Sequence, residues 1–195
     1  MFIPELDRDK LFERLKYTMK KQEVIQLAES FISIGIEPDA ILKYTSHTVD
    51  AVGFHSAWVL ENMLLPNPEA LDYYLPNIIE YIPLTQNESV KRHLTKLASY
   101  GINRIVNRKS SRVFEREFWK INLEPLEEVC FKWFVDEKTR PAVKVYCMEI
   151  LYLLSTRQRW IAEELPHIIE NQMTFGSPGI RSKGKTMLKL LRELR

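Results

Sequence analysis

The sequence predicts an all-helical fold built from stacked helix pairs. Apolar residues recur at helical spacing on several segments, strand-type alternation is scarce, and neither Asn-Gly nor Asp-Gly hairpin turns occur. Residues that start and stop helices punctuate the chain at short intervals, so about ten helices and no sheet are expected.

Taken in order, Asp7 precedes the first helical run, and a second carries Val24, Ala28, Phe31 and Ile32 before a stop at Gly35. A third begins with Phe54, Trp58 and Leu65, its apolar stripe interrupted by Glu61 and Asn62. Asn67 with Pro68, Asn122, Thr139, and Ser177 with Pro178 each stand where a further helix should begin, and Gly176 where one should end. Three helices share one pattern of apolar or small residues at offsets 0, 4, 7, 8 and 11. They are Val90, Leu94, Leu97, Ala98, Gly101; Val143, Cys147, Ile150, Leu151, Leu154; and Ile180, Gly184, Met187, Leu188, Leu191. Those offsets form one helix face, which must be buried against a neighbour.

The repeat has a regular length. The steps from 54 to 90 and from 143 to 180 are 36 and 37 residues, while 90 to 143 is 53, so an irregular basic insertion is expected at about 107–122. The preceding helices repeat as well: Leu75-Pro76-Asn77-Ile78-Ile79-Glu80 and Leu165-Pro166-His167-Ile168-Ile169-Glu170 share Leu-Pro-x-Ile-Ile-Glu. Each proline lies fourteen residues before Val90 or Ile180.

A proline in the first helix, a turn, then Val/Ile followed by Lys/Arg (Val90-Lys91, Val143-Lys144, Ile180-Arg181, more weakly Phe54-His55) resembles a HEAT repeat. The turn positions at which such repeats often carry an acidic residue hold Thr85, Lys138 and Phe175. The resemblance implies a right-handed α-α superhelix of about five pairs, spanning 8–34, 38–64, 68–104, 123–156 and 158–194 within a single domain of residues 1–195. It also implies that Lys91, Lys144 and Arg181 form a row along the concave face. The Arg-Pro-x-Val-Lys helix at Arg140–Lys144 is similar to small bacterial HEAT-like proteins sometimes labelled adenylosuccinate lyase. The lyase signature, a Ser-rich loop followed by Met-Pro-x-Lys-x-Asn, is lacking at Ser110-Ser111-Arg112-Val113. DNA alkylation repeat glycosylases are HEAT-like too, and Trp133 with Asp136 is the pair that such a resemblance would use.

Composition sets the outer bounds. With 195 residues and 45% hydrophobic content the chain can bury a core. The opening Met1-Phe2-Ile3-Pro4-Glu5 reaches Asp7 and Arg8 at once, and no segment has the apolar length of a membrane span, so a cytoplasmic protein is expected. Cys130 and Cys147 fall inside apolar helical patterns and read as buried thiols. The net charge of +2 is uneven: 10 basic and 14 acidic residues precede position 98, against 18 and 12 from there on.

No residue pattern predicts catalysis, a cofactor or a metal. His47, His55, His93 and His167 lack metal-ligand spacing and read as surface or packed side chains. The pairs Glu127-Glu128 and Glu163-Glu164 read as solvated, Trp58 and Trp133 as core, Trp119 and Trp160 as exposed. The basic stretch from Arg104 to Lys120 interleaves Arg108, Lys109, Arg112, Arg116 and Lys120 with Phe114, Phe118 and Trp119, and the last helix adds Arg181, Lys183, Lys185, Lys189, Arg192 and Arg195. The expected function is a non-enzymatic scaffold whose concave face holds a protein partner, with nucleic acid as the alternative. The expected binding residues are Lys91, Lys144, Arg181, Arg112, Arg116, Lys120, Trp119 and Lys185.

Overall fold

The computed structural model describes residues 13–194. The expected cap at Asp7, the start of the first pair and Arg195 lie outside the described residues. Among those described, every regular element is helical. Residues 13–16 are helical. Then follow α1 (Lys21–Ser33), α2 (Pro38–Tyr44), α3 (Asp50–Leu64), α4 (Pro68–Tyr81) with a 3-10 turn at Ile82–Leu84, and α5 (Glu88–Val106). After these come α6 (Arg112–Phe118), α7 (Glu124–Val135), α8 (Pro141–Ser155), α9 (Arg159–Phe175) and α10 (Pro178–Glu193). No described helix is long and apolar enough to cross a membrane.

The chain groups into two compact units that divide between Leu97 and Ala98, inside α5. In the N-terminal unit α3 packs on α1, α2 and α4. In the C-terminal unit α8 packs on α7, α9 and α10. A helix with neighbours on three sides must be apolar nearly all round, and α8 is. Val143, Cys147, Ile150, Leu151 and Leu154 are fully buried on one face, while Met148 and Leu153 are buried on the other. Truncating one such leucine to alanine costs about 3 kcal/mol, because the site collapses only in part.

The helix ends follow local chemistry. Asn67 and Ser177 cap α4 and α10 as expected, their side chains accepting from the Ala70 and Ile180 amides ahead of Pro68 and Pro178. Thr139 and Asn122 are each displaced by one residue: Arg140 and Leu123 are the boundary residues, and Thr139 is buried. Gly35 ends α1 at φ +74°. Its amide donates to Ile32 at 3.1 Å and that of Ile36 to Phe31 at 2.9 Å, the paired bonds that a left-handed residue makes possible.

The shared stripe is buried on α5, α8 and α10, save that Leu188 keeps partial exposure. On α3 the expected register was wrong by two residues. Phe54, Trp58 and Leu65 are only half-buried, whereas Val52, Ser56, Val59, Leu60 and Met63, at the same five offsets, are all buried. The polar Ser56 hid the stripe; its hydroxyl donates to the Val52 carbonyl at 2.7 Å, so it is tolerated inside. On α1, Val24, Ala28 and Phe31 are buried but Ile32 is 52% exposed. Within 107–122, expected to be irregular, residues 112–118 form the short helix α6.

Candidate functional site

The basic stretch gains its shape from the end of α5. Arg108 stands at φ +54°, a left-handed conformation that costs a side-chain-bearing residue about 1 kcal/mol. The Lys109 amide donates to the Arg104 carbonyl at 2.8 Å, and Arg104 Nη2 donates to the Lys109 carbonyl at 3.1 Å, clamping the turn. The chain then enters α6, where Ser111 caps the Phe114 amide and Arg112 and Arg116 fall four residues apart on one face. Phe118 is buried, which anchors α6 to the unit, and its ring meets that of Trp119 edge-on at 4.9 Å.

Together these residues line an open pocket of about 690 Å³ formed by Arg108, Ser110, Arg112, Glu115, Arg116, Trp119 and Arg157. Arg157 comes from the turn after α8. Its guanidinium carbon lies 4.8 Å from the Trp119 ring centroid, a cation–π stack, and its Nη2 is 3.9 Å from Glu115 Oε1. Four arginines against one glutamate leave the pocket strongly positive. Among the described residues Arg108, Arg112 and Arg116 form no ion pair. The Ser110 hydroxyl oxygen is shielded from solvent and has no hydrogen-bond partner among the described residues, a state worth about 1–3 kcal/mol of lost solvation.

A second pocket, about 490 Å³, shares Trp119 and Arg157 and continues over Ile121, Leu123, Gln158 and Trp160. The Trp160 indole donates to Gln158 Oε1 at 2.8 Å, and its ring packs 5.4 Å from Phe131. Glu127, expected to be solvated, is instead buried at the base of this groove and accepts a hydrogen bond from Gln158. Burial pushes its carboxyl above the ordinary value; the Gln158 bond works the other way and Glu124 adds to the rise. Glu128, Glu163 and Glu164 are exposed.

Of the residues expected to bind, Arg112, Arg116 and Trp119 meet in the first pocket. Lys120 turns aside to Glu117 at 2.7 Å. Arg181 and Lys185 are exposed on α10. Lys91, in the N-terminal unit, pairs with Glu88 at 2.6 Å. Lys144 is buried, 7% exposed, with Nζ 3.0 Å from Gln172 Oε1, so it offers no open charge on α8. Arg157, Gln158 and Ser110 escaped the sequence reading. Nothing in the local pattern marks them, because their role depends on α6 and the α8–α9 turn being neighbours.

Other reactive groups are structural. His55 Nδ1 is 2.7 Å from the Leu15 carbonyl, and His93 is buried beside Glu61, while His167 is exposed. Trp58, expected in the core, is half-buried and stacks on Phe54 at 5.5 Å. Trp133 is buried on α7, so it presents no face to a base. Cys130 and Cys147 are buried free thiols; burial, with the Cys147 hydrogen bond, drives the Cys130 thiol well above its ordinary value, which disfavours thiolate chemistry. Comparison with family models, curated proteins and solved structures gives no match.

Proposed function

We propose that the chain is a non-enzymatic binding protein of the HEAT-like class, a right-handed superhelix of about five helix pairs, and that it holds a protein partner. The repeat reading is supported by the five-offset stripe, which recurs on α3, α5, α8 and α10, and by short turns joining helices that pack on each other within each unit. Stacked pairs present surfaces without needing a catalytic constellation.

The observation that carries the partner reading is the groove in which Trp119 and Arg157 join an arginine-lined pocket to a mixed one, where Ile121, Leu123 and Trp160 stand beside Glu124, Glu127 and Gln158. A polypeptide segment bearing both acidic and apolar side chains matches it: carboxylates meet the guanidinium groups, while aliphatic or aromatic groups cover Trp119, Ile121, Leu123 and Trp160. Nucleic acid is the alternative, favoured by the alternation of arginines with an indole on which a base could stack.

Selection of displayed peptides on the intact protein, followed by anisotropy titrations, tests the choice. The expected result is enrichment of acidic-apolar segments, with Trp119→Ala and Arg157→Ala each weakening binding about tenfold while both variants keep the helical circular-dichroism spectrum. Single- or double-stranded DNA or RNA that binds with a steep salt dependence and displaces those peptides overturns the reading.

A further inference from the structure

We propose that Arg108, Ser110, Arg112 and Arg116 seat one phosphoryl group, so that the partner segment is recognised in its phosphoserine or phosphothreonine form. The inference rests on the protein-partner reading and adds the chemistry of the site.

Three features of the pocket converge on such a ligand. The first is uncompensated charge: neighbouring cations are paired, Lys120 with Glu117 at 2.7 Å and Arg159 with Glu163 at 2.8 Å, whereas Arg108, Arg112 and Arg116 form no ion pair among the described residues. Like charges gathered on one pocket repel unless an anion lies among them. The second is Ser110, which lines the same pocket and whose hydroxyl has no hydrogen-bond partner among the described residues; a χ1 rotation toward the pocket would let it donate to a phosphoryl oxygen. The third is position. The left-handed turn at Arg108 brings it to the pocket from the end of α5, while Arg112 and Arg116 reach it from α6.

The donor count selects the ligand class. Three guanidinium groups and a hydroxyl offer more hydrogen bonds than one carboxylate accepts, whereas a phosphoryl group has three strong acceptor oxygens and a charge of about −1.5 to −2. Glu115, lining the same pocket and 3.9 Å from Arg157, disfavours the run of successive phosphates that a polynucleotide would bring. The adjoining groove, with Ile121, Leu123 and Trp160 beside Glu124 and Glu127, takes uncharged apolar residues that flank the modified one.

The test uses the intact protein and three degenerate peptide pools, with a fixed central phosphoserine, serine or glutamate, read by fluorescence anisotropy. Inorganic phosphate serves as competitor. The phosphoserine pool is expected to bind at least about tenfold tighter than the serine pool, the ratio for one additional charge-assisted contact set. Ser110→Ala should reduce that advantage severalfold; the double variant Arg112→Gln, Arg116→Gln should abolish the advantage, and millimolar phosphate should compete. Equal binding of the phosphoserine and serine pools, still weakened by Trp119→Ala, overturns the phosphoryl site and leaves the protein-partner reading intact. Failure of all three pools, with inorganic phosphate still shifting the arginine Nε–H resonances, overturns the partner and assigns the pocket to a free phosphorylated small molecule.

Discussion

His93 Nδ1 lies 2.7 Å from Glu61 Oε2, and Lys96 Nζ lies 2.6 Å from the other oxygen of the same carboxylate, so one glutamate on α3 holds two cation-forming groups on α5. Phe54 and Trp58 close over His93 at 5.7 and 6.4 Å. Burial raises the Glu61 carboxyl, but the hydrogen bonds and charges of His93 and Lys96 outweigh it and hold the group below its ordinary value of 4.5.

A carboxyl lowered in the folded state stabilises fully above the unfolded value and loses that contribution as pH falls through the folded one. Glu61→Gln is therefore expected to cost about 2 kcal/mol at pH 7, the range for breaking a partly buried charge-assisted pair. The deficit should narrow as the pH drops below 4.5. Thermal melts of wild type and variant across this range check it; a deficit independent of pH would show that packing, not charge, is responsible.

Glu127 has the opposite sign. Its folded value is raised, so its stabilising form is the protonated one, fully present below the unfolded value and lost as pH rises through the folded value. Glu127→Gln removes the buried charge and keeps an oxygen able to accept from Gln158. The variant should gain about 0.5 kcal/mol at pH 7, after discounting for solvent screening, and nothing at pH 4. Urea titrations at the two pH values measure the difference, and an equal gain at both contradicts the assignment.

Two glycines of the C-terminal unit should respond unequally to alanine. At Gly176 an added Cβ would lie 2.5 Å from the backbone carbonyl of Gln172 and 2.8 Å from Ile180 Cγ2, contacts that only a shift of the α9 end could relieve. At Gly184 the nearest atom would be Met173 Sδ at 2.5 Å, the flexible end of a side chain, with Ile169 Cγ2 at 3.1 Å. Gly176→Ala is expected to cost about 3 kcal/mol and Gly184→Ala about 1 kcal/mol. Neither has a positive φ, so no backbone strain enters; Gly184, inside α10, also gains about 1 kcal/mol of helix propensity that Gly176, past the end of α9, does not, which widens the expected gap between the two melting temperatures.

Much of the helical framework was legible in the residues. Asn67, Ser177 and Gly35 act where they stand, because caps and stops are satisfied by backbone groups within four residues. The α5, α8 and α10 stripes were legible because their apolar periodicity is unbroken. The α3 stripe was misplaced at Phe54 because Ser56 occupies one of its buried positions, and a polar residue inside a stripe looks like a break until its hydrogen bond to Val52 is seen. Glu127 was misjudged for a related reason: the side chain that donates to it, Gln158, is thirty-one residues away.

The sequence by itself determined that the chain is helical, where most helices begin and end, and which faces of α5, α8 and α10 turn inward. Each of these follows from interactions within about one or two turns of a helix, and periodicity records them. Only the tertiary structure decided that Arg157 lies over Trp119, that Lys144 turns inward to Gln172, and that Ser110 lines the same pocket as Arg108, Arg112 and Arg116. Those relations join side chains separated along the chain or reversed by a left-handed turn, and the packing of α7, α8 and α9 and the turn at Arg108, rather than any local pattern, set the distances between them.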